Sequence, residues 1–242
     1  MRIPRLYCPE LDENTEVLVL PDKVHRHAIQ VLRLKQGAEL HLFNGQGLEY
    51  LAVLEEVAKR SSTVKLVKLL KVENESPLFI TLLQGISRGE RMDYALQKAV
   101  ELGVNHIIPV ITERCNVPLT GGRAEKRLAH WQGIITSACE QSGRSILPIL
   151  SNVTQLEEAI NNCTVKCRLV LDPLADSGLT TLATQNEVAL LIGPEGGLAE
   201  QEIQQAVNVG FQATTMGPRI LRTETATVAA LAVVQAVWGD IG

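Results

Sequence analysis

Two apolar runs near the C-terminus each break at glycine and proline and then give way to a helical pattern. The first is Leu190-Leu191-Ile192-Gly193-Pro194-Glu195-Gly196-Gly197. The second is Met216-Gly217-Pro218-Arg219-Ile220-Leu221-Arg222-Thr223-Glu224-Thr225-Ala226. A short apolar run bounded by turn residues reads as a buried strand. Two successive strand–loop–helix junctions constrain the chain to an α/β domain with a mostly parallel sheet, and they predict neighbouring loops at its carboxyl edge, where α/β proteins hold ligands.

The pattern upstream divides the chain. Residues 16–20, 38–43, 48–57 and 63–72 read as short strands, with Asn44-Gly45 as a hairpin signal and a helix over 22–34 whose apolar positions are Val24, Ala28, Val31 and Leu32. Several short strands in about 70 residues predict a small β-barrel. A polar break over 73–77 sets the expected boundary, giving domains at 1–72 and 73–242. Beyond it, strands over 78–84, 104–111, 166–171, 187–192 and 211–216 alternate with helices over 90–102, 124–142, 154–161, 200–209 and 223–238. The sheet should therefore be covered on both faces.

A chain of 242 residues that is 45% hydrophobic and 21% charged can bury a real core. With only 3% aromatics, Leu, Val, Ile and Ala must fill it. No apolar stretch reaches membrane-span length, and no apolar signal region follows Met1-Arg2-Ile3-Pro4-Arg5. Five scattered cysteines argue against a disulfide framework and for a reducing cytoplasm. The net charge of −4 conceals a basic cluster at Arg2, Arg5, Lys23, Arg26, Arg33 and Lys35, with Arg88 and Arg91 beyond it, which suits phosphates as well as a mixed solvated surface. Gly-x-Gly-x-x-Gly after a strand, a phosphate loop ending in Gly-Lys-Ser/Thr and a Gly-x-Ser-x-Gly elbow are all missing, which disfavours dinucleotide, ATPase and α/β-hydrolase readings. Cys163 and Cys167 lack a second pair at zinc spacing, so no metal is expected.

Four segments carry candidate chemistry. Gly193-Pro194-Glu195-Gly196-Gly197 permits close approach of a ligand to the backbone; a tight turn explains its glycines but not its carboxylate. In the second junction Thr223 or Thr225 can cap the final helix and Glu224 suits its positive end. Arg219 and Arg222 are misplaced at that end unless Glu195, Glu224 or an anionic ligand faces them. Ser87-Arg88-Gly89-Glu90-Arg91 follows the first strand of the large domain. In Glu140-Gln141-Ser142-Gly143-Arg144, Gly143 is a C-cap and Arg144 favours the helix dipole. The final helix is apolar nearly all round, which suits a second subunit as well as an internal core.

Taken in order, Pro4-Arg5, His27 with Val31-Leu32-Arg33, residues 88–93, Gln97-Lys98 with Glu101-Leu102-Gly103-Val104, residues 140–144, 193–197 and 217–226 resemble the RsmE family, bacterial small-subunit 16S rRNA (uracil-N3)-methyltransferases of the knotted SPOUT class. One departure is Arg88, where many relatives carry Lys. The resemblance implies a PUA-like barrel that holds RNA, a C-terminal domain with a deep trefoil knot, and a cytoplasmic homodimer. Its implied substrate is one uridine in the decoding region of the assembled small subunit, and its implied cofactor is S-adenosylmethionine (SAM). Leu171, Ile192, Gly193, Pro194, Gly197, Met216, Gly217, Ile220 and Leu221 would then form the cofactor site. Arg222 would stabilise charge on the uracil, Glu195 would act as base or orienting group, and Arg2, Arg5, His27, Arg33, Arg88, Arg91 and Arg144 would meet RNA.

Overall fold

The computed structural model describes residues 3–117, 119, 122–179 and 183–242, which pack as two compact units. One comprises 1–75 with 139–147; the other comprises 76–138 and 148–242. Arg2 lies outside the described residues.

The first unit is a five-stranded sheet in the order β1-β3-β4-β5-β2, with β1 Arg5–Tyr7, β2 Val17–Val19, β3 Glu39–Phe43, β4 Glu49–Val57 and β5 Ser62–Leu70. Only β1 pairs in parallel, with β3; the remaining pairs are antiparallel. Register shifts between Leu51 and Ala52 and between Leu54 and Glu56 bend β4 around one apolar core of Leu6, Leu20, Val24, Ala28, Leu40, Leu42, Ala52, Leu54 and Val64. The Asn44-Gly45 turn forms as expected: the Asn44 side chain accepts the N–H groups of Gln46 and Leu48, and Gly45 takes a positive φ of 78°.

The helix expected over 22–34 is shorter and changes type. An α-helix, α1 (Asp22–Arg26), runs into a π-helical turn at His27–Val31. The π turn shifts the side-chain register, so Val24 and Ala28 stay on the core while Val31 is 67% exposed. Arg33 then adopts φ of 55°, which ends the helical path.

Residues 139–147 pack with this unit through their backbone. The Arg5 guanidinium donates to the carbonyls of Cys139, Glu140 and Arg144, and the Tyr7 N–H donates to the Glu140 carboxylate. Gly143 ends the preceding helix at φ of 94°, as expected of a C-cap.

The second unit holds a seven-stranded sheet built from β6 (Phe79–Gly85), β7 (His106–Ile111), β8 (Ile149–Leu150), β9 (Thr154–Gln155), β10 (Arg168–Leu171), β11 (Glu187–Ile192) and β12 (Gln212–Thr214). Its order is β12-β10-β11-β6-β7-β8, with β9 also on β7, and every pairing is parallel. The helices are α2 (Glu90–Glu101), α3 (Arg123–Ser142), α4 (Leu156–Asn161), α5 (Glu200–Asn208) and α6 (Thr223–Trp238). Leu83, Val110, Val170, Ala189 and Leu191 pack against Leu156, Ala159 and Ile160 of α4 and Ala206 of α5. Successive strand residues face opposite sides. Gln84 therefore points away from that core, and it meets Thr227 of α6 there. The sheet is covered on both faces, as a parallel sheet requires.

Candidate active site

Three neighbouring parallel strands end side by side. Leu171 closes β10 in register with Thr214 of β12, and Val170 lies opposite Leu191, one residue before the end of β11. The loops that follow, 172–178, 193–199 and 215–222, therefore leave one edge of the sheet together. Two of them are stitched to each other: Asp172 N–H donates to Thr214 C=O at 3.1 Å, and Thr215 N–H donates to Ser177 C=O at 2.8 Å. The expected cofactor residues are thus brought to one place. Ile192 is buried, Leu171 and Leu221 are half-buried, and Ile220 is 88% exposed. Leu174, which the sequence did not single out, stands 90% exposed in the loop after β10.

The 193–197 loop is a tight turn, closed by the Gly197 N–H on the Pro194 carbonyl. A Cβ on Gly193 would lie 2.8 Å from the Leu198 nitrogen, and one on Gly85 would lie 2.5 Å from the Pro194 nitrogen. Both positions therefore need glycine. Gly197 and Gly217 take positive φ, at 69° and 93°.

Glu195 stands between these glycines because it latches the loop. Its Oε1 accepts the backbone N–H of Arg88 at 2.8 Å and the Arg91 guanidinium at 3.2 Å. Arg114 adds a second latch, donating to Gly196 C=O at 2.9 Å. Partial burial pushes the Glu195 carboxyl up. The N–H groups of Arg88 and Glu195 itself, and the Arg91 guanidinium, outweigh that effect and hold it below the ordinary carboxylate range. Pairing of Glu195 with Arg219 or Arg222 is not what the structure has. Both arginines are exposed, and among the described residues their guanidinium groups have no hydrogen-bond or ion-pair partner, although the Arg222 carbonyl accepts the Ala226 N–H. Arg222 is the N-cap residue of α6, in extended conformation.

Thr223 does not cap its own helix; it donates to Gly193 C=O at 2.6 Å and accepts from Gln84 Nε2 at 3.2 Å. Gln84 is fully buried, as is Thr227, whose hydroxyl lies 2.7 Å from Gln84 Oε1. The signal for this cluster is the Gln84 amide at the end of a buried, mostly apolar strand.

The expected RNA residues divide. Arg33 and Arg88 are exposed, and His27 is half-buried. Arg91 is exposed yet shares its charge with Glu195. Arg5 and Arg144, also expected to meet RNA, are committed to protein groups in the structure. The side chain of Arg5 is 8% exposed and forks onto Glu49, itself 2% exposed, at 2.6 and 3.0 Å, with Phe43 beneath it. Arg144 is buried against Glu75 at 2.6 Å. All three guanidinium nitrogens of Arg5 donate to protein acceptors, which leaves that side chain little to offer a phosphate.

Residues 74–235 match the family model described as RNA methyltransferase domain, and residues 20–67 match that of the RNA methyltransferase PUA domain. Ribosomal RNA small subunit methyltransferase E of Buchnera aphidicola subsp. Schizaphis graminum is 35% identical over 99% of this chain and 98% of its own length. The Neisseria gonorrhoeae protein of that name, solved bound to S-adenosyl methionine, is 43% identical with a TM-score of 0.93, covering 100% of both chains. A Legionella pneumophila structure with the bound cofactor SAM has a TM-score of 0.96 at 40% identity, covering 99% of this chain and 100% of its own. With most of its length inside one family model and full-length relatives above 30% identity, the chain belongs to the RNA methyltransferase family, in the group of ribosomal RNA small subunit methyltransferase E.

Proposed function

We propose that the protein transfers a methyl group from SAM to N3 of one uridine in the decoding region of 16S rRNA, acting on the small ribosomal subunit. The observation that carries this reading is the convergence of three strand ends, β10, β11 and β12, on a glycine-built loop beside an arginine whose guanidinium has no protein partner among the described residues. The names and bound cofactor of the full-length relatives support it.

The residues present fit SAM. Ile220 and Leu174 are large apolar side chains left bare at this edge, where an adenine ring would cover them. Gly197 and Gly217 have open space where a Cβ would stand, so backbone groups can approach a ligand closely. When bound, SAM supplies an electrophilic methyl on a sulfonium centre. Leu171, Ile192, Gly193, Pro194, Met216 and Leu221 complete its surroundings in this reading.

Uracil N3 is a poor nucleophile until it loses its proton, and the charge then spreads to O2 and O4. Arg222 can stabilise that charge, because its guanidinium is not committed elsewhere in the described chain. Glu195 takes the orienting half of its expected role. Its oxygen already holds two donors and its proton affinity is lowered, which suits a latch better than a base. Proton acceptance then falls to water at the open loop edge.

On the first unit, Arg33, with bare Val31 and Leu32 before it, and His27 offer RNA a contact surface; on the second, exposed Arg88 offers another contact. A homodimer is supported by the final helix, α6, where apolar Val237 and the nearby Ile241 remain 41% and 45% exposed. The deep trefoil knot belongs to the same reading.

Primer extension tests the proposal, since a methyl on N3 blocks Watson–Crick pairing. Subunits treated with protein and SAM should give one reverse-transcriptase stop at a uridine in the decoding region. Read-through identical to untreated RNA would overturn it.

A further inference from the structure

The donor count fixes the direction of the hydrogen bonds from Gln84 through Thr223 to Gly193. Gly85 C=O, 3.2 Å from one end of the Gln84 amide, can only accept, so that end must be Nε2. The other end is then Oε1, which shares the single Thr227 hydroxyl proton, at 2.7 Å, with the Thr223 carbonyl at 2.9 Å. Nε2 spends its second proton on Thr223 Oγ1 at 3.2 Å. The single Thr223 proton is left to point at Gly193 C=O at 2.6 Å. All three side chains are at least nine-tenths buried, so water does not compete for these bonds.

This relay has an unusual position. One end fixes the first peptide of the cofactor loop, which Gly85 backs from the other side with no room for a Cβ. The other end is the residue that follows Arg222, at the first turn of α6. Glu195 and Gly196 are latched separately, by Arg88, Arg91 and Arg114. The Thr223 hydroxyl therefore joins the SAM loop directly to the backbone that carries the proposed charge-stabilising arginine.

We propose that Thr223 is a positioning residue that sets the SAM loop and Arg222 as one unit, held in a single orientation by Gln84; this rests on the function proposed above. Its signature is a joint effect. Thr223→Val keeps the shape and removes both hydrogen bonds, so it should weaken SAM binding and slow methyl transfer at saturating SAM, each by on the order of tenfold. Thr223→Ser restores the hydroxyl and should recover most of both. Arg222→Ala should slow transfer while leaving the SAM dissociation constant near that of the natural chain.

The experiment measures SAM affinity by calorimetry, and single-turnover methylation of unmodified small subunits, for the natural protein and these variants. Joint loss in Thr223→Val with rescue by Thr223→Ser supports the coupling. Unchanged affinity and rate in Thr223→Val would overturn it, as would a Thr223→Ser variant as impaired as Thr223→Val. Should Thr223→Val fail to fold, Gln84→Met removes the donor to Thr223 and must show the same joint loss. A natural protein that binds SAM yet methylates nothing would defeat the proposed function, while the coupling would still be read from the SAM affinities.

Discussion

Glu195 and Arg91, 104 residues apart, meet at 3.2 Å, and the same carboxylate oxygen holds the backbone N–H of Arg88 at 2.8 Å. The loop after β6 and the first turn of α2 thus clamp the glycine loop after β11, the neighbour of β6 in the sheet. The clamp makes Glu195 a component of loop geometry. Glu195→Gln keeps one acceptor and loses the charge, so it should raise the KM for SAM by severalfold while the single-turnover rate at saturating SAM stays within about threefold of natural. A collapse of that rate with unchanged KM would return Glu195 to proton transfer.

The acid limb of SAM affinity follows from the same pair. The Glu195 pKa lies below its ordinary value of 4.5, so the latch is intact above that value and is lost as pH falls through the lowered pKa. SAM affinity measured by calorimetry should hold steady from neutrality into the mild acid range and fall only below the ordinary carboxylate region. In Glu195→Gln that fall should disappear.

Arg222 presents an uncommitted guanidinium. Arg222→Ala should lower kcat by about 10²- to 10³-fold, as removal of one charge-stabilising donor does in a preorganised site. Stopped-flow or quench measurements at saturating SAM check this; a loss below about threefold would remove Arg222 from the chemistry.

Arg5 and Arg33 should behave oppositely. Arg5→Ala leaves buried Glu49 with His41 Nδ1 at 2.9 Å but without its guanidinium, which should cost the first unit about 3 kcal/mol in urea denaturation. Arg33→Ala should leave stability nearly unchanged and reduce the slope of log K for RNA against log salt by about one. A salt-slope effect from Arg5→Ala in folded protein would contradict the assignment.

Thiol chemistry should sort by burial. Burial pushes the Cys8 and Cys139 thiols up to about 12, with Glu10 adding to the effect at Cys8. Both should resist alkylation at neutral pH in the native protein and react on unfolding. Mass-spectrometric mapping of iodoacetamide adducts reads this directly.

The parts legible in the sequence were those written in local periodicity. Residues 187–192 and 223–238 form β11 and α6 at the bounds expected, since apolar runs ending in Gly-Pro or opening after a turn mark their own limits. The helix over 22–34 was misjudged because a π turn and the positive φ of Arg33 leave no mark on periodicity. Partners distant in the chain were also hidden. Arg5 finds Glu49 and the carbonyl of Cys139, 134 residues away, so a cluster of basic residues looked available when one of them was already buried. Thr223 fitted a cap by position, yet its hydroxyl serves Gly193, and only the fold brings the two together.

The most direct test of the central claim is nucleoside analysis after methyl transfer. The protein is incubated with methyl-labelled SAM and small ribosomal subunits lacking the modification, and the RNA is digested to nucleosides. The account predicts label in 3-methyluridine and in no other nucleoside. Label in a different nucleoside, or none from a protein that binds SAM, would contradict it.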